Sequence, residues 1–457
     1  LDICGIDVMA RDLKAPIKEI GGAIIEVNAA PGFRMHIEPT SGQSRNVARH
    51  VVEMLFNSNA RIPIIAITGT NGKTTTSRLV ANMVQQAGYV TGFTTTDGIY
   101  INNELVFKGD CSGPWSAQYV LKDPSVEFAV LETARGGILR SGLAFDECDC
   151  AIVTNVAEDH LGVDGIDTIE KLAKVKAVVP EAVCKTGYAV LNADDDLVYA
   201  MKDKVKGKVA LFSMHADSFR VEDHCSKGGL AAVYENGFLL LRVGNHIIPI
   251  EEAKNIPITF GGKADFNIAN VLAATLAAYT NGIKLSTIRQ VLKTFAPSYE
   301  TMPGRLNVFE LSDFTVIVDY AHNPHAVRNL GKFVKAFNAK TKVGIVTGVG
   351  DRRDEDIIAL GEESAKIFNE IIIRHDADMR GRPVVEMENL ITMGVVNVNP
   401  DVPIIYSMAE CEAVDYAIEH AVPGSLIVVL TDNIKAVTEC IRRHQQHYQN
   451  SQWQKAV

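Results

Sequence analysis

The chain is 457 residues long and carries a net charge of −10, which argues against nucleic acid or an anionic membrane as a main partner. Its 47% hydrophobic and 22% charged content is that of a globular protein of roughly two to four domains. No stretch of eighteen apolar residues occurs, and the eight scattered cysteines show no CxxC or Cys/His metal spacing, so reduced thiols in a cytoplasmic protein are expected.

Residues 1–57 read as two strands, GIDVMA and GGAIIEVNAAPGF, followed by a helix, NVARHVVEMLF. Glu26 and Asn28 stand two apart on a strand and share a face. With Asp7 they make an oxygen-ligand set suited to Mg²⁺, although a solvated strand face is the default for such a pair. The chain opens at Leu1 without a leader, so this segment is expected to be the interior of something longer. A short polar linker is expected from Asn57 to Arg61.

The stretch IPIIAITGTNGKTTT (62–76) organises the rest. An apolar, β-branched run predicts a strand buried on both faces. Gly69 and Gly72 then turn the chain, and Lys73 opens a helix to about Gln86. Strand, glycine loop and helix start form a phosphate cradle over Gly69, Thr70, Asn71, Gly72, Lys73, Thr74 and Thr75. Backbone N–H groups face the anion, Lys73 adds a charge, and the Thr74 hydroxyl can reach Mg²⁺. Ile67 stands where the general pattern has its first glycine.

From 61 to 298 apolar runs alternate with helical periods, as in a doubly wound α/β domain. FAVLETARGG ends a buried strand at Glu132, and AIVTNVAEDH ends another before Asp159 and His160. Sites in such sheets collect at the carboxyl ends of strands, where Lys73, Glu132 and His160 all fall. Residues 205–260, including FRVEDH, read as β-rich hairpins. DFNIANVLAATLAAYTNG reads as a helix with Asn267 in its first turn, a cap or a contact to an adenine edge. Beyond the turn-rich segment at 297–304, five strand ends alternating with helices predict a smaller Rossmann-like α/β domain over 299–457.

TGTNGKTTT, ETARGG, TNVAEDH, LNADD, FNIANVLAA, PGR and DYAHNP follow in an order that resembles the Mur ligase superfamily over about 400 residues. D…EVNxxPG ahead of them resembles the metal-binding end of an ATP-grasp domain. An ATP-grasp tail fused to a Mur-like module, with EVNAAPGFRMH, GDCSGPWSA and GDRRDEDI, is similar to the ligases that build multi-L-arginyl-poly-L-aspartate.

The resemblance implies an ATP-dependent, ADP-forming amide ligase working through an acyl phosphate, with ATP and Mg²⁺ as cofactors. L-arginine and a poly-aspartate primer would be its partners, together with further copies of the chain. By position, Lys73 and its loop would bind the β,γ-phosphates, and Thr74, Glu132 and His160 would hold Mg²⁺. Asn267 would touch adenine, Arg305 the terminal phosphate, and Asp319 the nucleotide from the second domain. Lys176, with Lys174 as rival, would carry the carbamate found in several Mur ligases. Asp351, Asp354, Glu355 and Asp376 are candidates to select the incoming guanidinium. A relative that joins β-aspartyl-arginine dipeptides, a peptidoglycan or folylpolyglutamate ligase, and a nucleotide-binding module without turnover stand as alternatives, the last the weakest.

Overall fold

A computed structural model describes residues 3–12, 14–56, 61–376, 379–406 and 409–456, so 57–60 of the expected linker lie outside the described residues. The chain divides into two compact units, 1–62 and 63–457. In the first, β1 (Gly5–Met9) and β2 (Ala23–Asn28) pair antiparallel, and a helix spans Val47–Phe56. Asp7 lies opposite Glu26, with Asn28 two residues further along the same strand. Directly opposed residues share a face, so the three oxygen donors come to one side of the ribbon.

The second unit is built on two sheets. The larger contains β3 (Ile64–Thr68), β4 (Thr91–Thr95), β5 (Gly98–Ile101), β6 (Glu104–Lys108), β7 (Phe128–Glu132) and β8 (Cys148–Val153). It continues with β9 (Val183–Asn192), β10 (Lys208–Ser213), β11 (Leu230–Glu235), β12 (Phe238–Val243) and β13 (His246–Glu252). Their spatial order is β13-β12-β11-β10-β9-β8-β3-β7-β4-β5-β6. The strands from β11 to β4 run parallel, and an antiparallel pair extends each edge. All five residues of β3 and of β7 are buried, as expected of parallel strands covered on both faces. The helix Asp265–Thr280 packs on one face through Ile268, Val271, Leu272 and Leu276, all fully buried.

The chain leaves β3 toward β4 and β7 on one side, then returns to β8 on the other. This reversal opens a crevice at the carboxyl ends of β3 and β8, directly below the glycine loop.

The smaller sheet contains β14 (Asn307–Leu311), β15 (Phe314–Asp319), β16 (Lys342–Val346), β17 (Glu370–Ile373), β18 (Ile404–Tyr406) and β19 (Leu426–Leu430), in the order β14-β15-β19-β16-β17-β18. Only β14 is antiparallel to its neighbour. It is a sixth strand where five were expected, because the turn composition just before it masks the inward Asn307, Phe309 and Leu311.

One expected element is overturned. FRVEDH belongs to a helix, Phe219–Ser226, not to a hairpin. Val221 and Cys225, four apart, are its buried residues, so the period is helical. The hairpins of that region are confined to β11, β12 and β13.

Candidate active site

A cleft of about 1110 Å³ is lined by the glycine loop, by residues following β7, β8 and β9, and by residues at the carboxyl ends of β15, β16, β17 and β19. All seven residues from Gly69 to Thr75 line it, as do Glu132, His160, Lys176, Asn267, Arg305 and Asp319.

The loop is held from below by the segment after β8. Asn155 accepts from Thr70 N–H through its carbonyl at 2.9 Å and from Asn71 N–H through its side chain at 3.0 Å. Thr154 donates its hydroxyl to the Asn71 carbonyl at 2.6 Å. Gly69 and Gly72 have φ of 142° and 89°, and a Cβ on Gly72 would collide with the Asn270 side-chain oxygen. Gly72→Ala should therefore cost ~1–3 kcal/mol of stability from backbone conformation and steric conflict together. Denaturant unfolding checks this, and an unchanged midpoint would show that the loop relaxes freely.

Lys73 Nζ donates to the Thr70 carbonyl at 3.0 Å and stays half-buried at the cleft. Thr74 donates its hydroxyl to Glu132 at 3.0 Å, and Thr96 donates both its hydroxyl (2.9 Å) and its N–H (3.2 Å) to the same carboxylate. Glu132 is 2% exposed, and burial pushes its carboxyl up against the lowering influence of Lys73, Thr96, Arg305 and Thr74. Arg305 reaches the Thr74 hydroxyl at 3.3 Å while its guanidinium lies 4.5 Å over the Tyr320 ring. Asp319 accepts from the Leu306 and Ala321 N–H groups at 2.9 Å each, and burial pushes its carboxyl up. Thus Thr74, Glu132 and Arg305 form one contiguous group.

His160 belongs to a neighbouring group. Its Nε2 lies 2.9 Å from Arg352, and donor atoms of Asp159, His160 and His322 all lie within 4.8 Å of one another. Burial, with Arg352 and His322 adding, lowers His160 to about 4 despite Asp159, so the ring is neutral at pH 7. Asp159 sits well below the usual carboxylate range; burial opposes this, and His322, His160 and Arg352 overcome it. A φ of 53° marks His160 as a strained, left-handed residue.

Lys176 is 3% exposed on the inward face of its helix and donates to the Gly69 carbonyl at 2.8 Å; Lys174 lies on the exposed face. Burial, then the Lys73 charge, lowers Lys176 to about 7. Asn267 donates to the Ile258 carbonyl at 2.8 Å and accepts from Asn270 at 3.2 Å, so its amide braces the cleft wall.

Sequence reasoning missed several wall residues. Asn71 joins Asn323 (3.3 Å) and His325 (2.9 Å) across 252 and 254 positions. Arg374, 1% exposed, pairs with Asp376 at 2.6 Å and Glu410 at 3.0 Å. Only a charged residue directly after the apolar run of β17 hinted at it. The acids singled out for guanidinium selection are mostly engaged. Asp351 pairs with Arg352 (2.6 Å) and Arg380 (2.7 Å), and Asp376 with Arg374. Asp354 pairs with Arg382 at 2.6 Å, and neither it nor the exposed Glu355 lines the cleft.

The family model for the Mur ligase middle domain matches residues 67–278, and that for the Mur ligase glutamate ligase domain matches 304–432. A cyanophycin synthetase of Crocosphaera subtropica is 51% identical over 445 residues, which is 97% of this chain and 51% of the relative. The chain spans about half the length of the curated relatives of that name. A UDP-N-acetylmuramoyl-L-alanyl-D-glutamate–2,6-diaminopimelate ligase of Phocaeicola vulgatus is 29% identical over 326 residues, covering 69% of this chain and 62% of the relative. Among solved structures, E. coli FolC in complex with DHPP and ADP superposes with a TM-score of 0.64 at 17% identity, covering 90% of this chain and 95% of that one. The phosphate-loop sheet, the second sheet closing over it and the two matching models in succession show that this chain belongs to the Mur ligase superfamily.

Proposed function

We propose that the chain is an ATP-dependent, ADP-forming ligase that joins L-arginine to the β-carboxyl of aspartate on a cyanophycin-type poly-aspartate primer. The observation that carries the ligase reading is the contiguous set of Lys73, Thr74, Glu132 and Arg305 at the mouth of the glycine loop. Arginine and aspartate as substrates rest on the likeness to cyanophycin synthetases.

Thr74 and Glu132 would hold Mg²⁺. A buried carboxylate with hydroxyls around it is a hard-oxygen donor set that gains from a cation. The ion would neutralise phosphate charge as it shifts. His160, neutral, is the third candidate ligand, its lone pair now facing Arg352. Asp7, Glu26 and Asn28 are read in the same way as the metal ligands of an ATP-grasp end.

Lys73 and the first turn of its helix would bind the β,γ-phosphates, and Arg305, lying over the Tyr320 ring, would meet the terminal one. On the family resemblance, Asn267 would hold an adenine edge once its amide exchanged its Ile258 and Asn270 partners, and Asp319 would orient the nucleotide from the second sheet. The acceptor carboxylate attacks the γ-phosphorus as its bond to the bridging oxygen breaks, releasing ADP. The arginine amine then attacks the acyl carbon, phosphate leaves with the bonding pair, and the amine loses its proton. The protein supplies alignment and charge and needs no covalent nucleophile.

Two further outcomes follow. Lys176, its amine lowered to about 7 by burial and then by the Lys73 charge, should take up CO₂ as a carbamate: nitrogen bonds to carbon and one proton leaves. Labelled bicarbonate should be retained, increasingly as pH rises through 7. Lys176→Ala should lose activity that chloride or short carboxylates partly restore. An unmodified lysine in a fully active enzyme would refute this.

For guanidinium selection the observations favour Asp432. It lines the cleft, is exposed, and among the described residues shows no close ion pair or hydrogen bond, although its charge acts on Arg380. Asp432→Asn should raise KM for arginine ~10–100-fold with kcat kept, the value of a charge-assisted hydrogen bond. Unchanged arginine kinetics would place the selector elsewhere.

The overall reading is tested by ADP release with arginine, lysine or diaminopimelate offered against aspartate-terminated acceptors. Release that depends on arginine and acceptor together supports it. Release favouring diaminopimelate would support a peptidoglycan-type ligase.

A further inference from the structure

A second cluster of donor side chains lies outside the cleft, between the helices Glu410–Glu419 and Ile434–Ala456. These helices pack together through Ala413, Val414, Ala417, Val437 and Ile441. Each carries a donor pair four residues apart, Cys411 and Asp415 on the first, Cys440 and His444 on the second. That spacing puts both members of a pair on one helix face. Cys440 Sγ lies 2.9 Å from Asp415 Oδ1, and His444 Nε2 lies 2.7 Å from the same oxygen. The three donor atoms all fall within 4.8 Å of one another. The Cys411 thiol turns toward the second helix, 3.9 Å from the Ala436 carbonyl, and interacts with the Cys440 thiol.

The bland reading is a carboxylate satisfying one thiol and one imidazole. It does not account for paired i,i+4 donors on both helices, which bring a second thiol, Cys411, beside that of Cys440. Two sulfurs, one imidazole nitrogen and one carboxylate oxygen are the donor set of a tetrahedral zinc-type ion and a poor one for Mg²⁺. Cys440 is 1% exposed, while the Asp415 and His444 side chains are 37% and 21% exposed, which gives an ion a way in.

We propose that Cys440, His444 and Asp415, with Cys411 as fourth ligand, form a structural site for one divalent transition ion of the zinc class. Loading is a ligand exchange without redox change: both thiols give up their protons to solvent, and two sulfur–metal bonds form. Four protein ligands leave no open position, so the ion clips the last helix to the domain. Glu410, adjacent to Cys411, pairs with Arg374 and accepts from Thr431 at the cleft wall, so the clip steadies that wall. Such a site would escape a search for local Cys/His spacing, because its ligands come as pairs from two helices.

The test uses the untagged chain, stripped by a chelator under reducing conditions and then loaded with Zn²⁺ or Co²⁺. The expected result is one equivalent of tightly held ion and, with Co²⁺, intense visible bands with a near-ultraviolet thiolate charge-transfer band. His444→Gln, at a partly exposed position, should fold, keep basal ADP release and weaken the affinity at least tenfold. Cys440→Ser should remove most of the charge-transfer intensity. Absence of stoichiometric binding would overturn the site. So would cobalt bands unchanged in both variants, or a mass two hydrogens lighter that shows a Cys411–Cys440 disulfide in the protein as purified.

Discussion

Lys73→Ala should lower kcat for ADP release by ~10²–10³-fold, the cost of deleting one preorganised charge from a site where charge moves in the transition state. The unfolding midpoint should not change. Lys73 is half-buried, its ammonium has one hydrogen bond among the described residues, to the Thr70 carbonyl, and the loop is braced instead by Thr154 and Asn155. Its charge also lowers Glu132 and Lys176. Removing it should raise both, which favours the protonated Lys176 amine and disfavours its carbamate. Steady-state turnover beside thermal unfolding separates these effects, and near-parental turnover would sink the phosphate-loop assignment.

Glu132→Gln should show the opposite balance between stability and function. Burial raises the Glu132 carboxyl above its unfolded value, so the native state holds that proton more tightly than the unfolded chain does. Stability from this group is therefore full below the unfolded pKa and is lost as pH rises through the folded one. A neutral amide of the same shape escapes that loss. At pH 8 the ligand-free variant should melt at or above the parent temperature, while kcat falls ~10²–10³-fold and stabilisation by Mg·ATP disappears. A variant that melts lower yet turns over normally would show Glu132 to be structural.

The parts of this account legible in sequence are those carried by local pattern. The buried run 64–68 followed by two glycines and Lys73 gives strand, loop and helix start together, because each constrains its neighbours over a few residues. Glu132 was legible for the same reason, as a polar residue closing an apolar strand, and His160 as one in the loop that follows another. Contacts across long separations were not. Asn71 with His325, and His160 with Arg352, join residues that nothing in local spacing relates. The acidic run GDRRDED could not reveal that Asp351 and Asp354 face the chain's own arginines. FRVEDH misled because Phe219 and Val221 alternate with charged residues, while the i,i+4 partner that fixes its period, Cys225, lies beyond the alternating part.

Mass analysis of a poly-aspartate primer, after incubation of this chain with ATP, Mg²⁺, arginine and aspartate, decides whether the chain adds arginine. The primer should gain arginine residues, with one ADP formed for each, and should gain none with Lys73→Ala. ADP formed without arginine on the primer, or arginine added equally by Lys73→Ala, would contradict the proposed function.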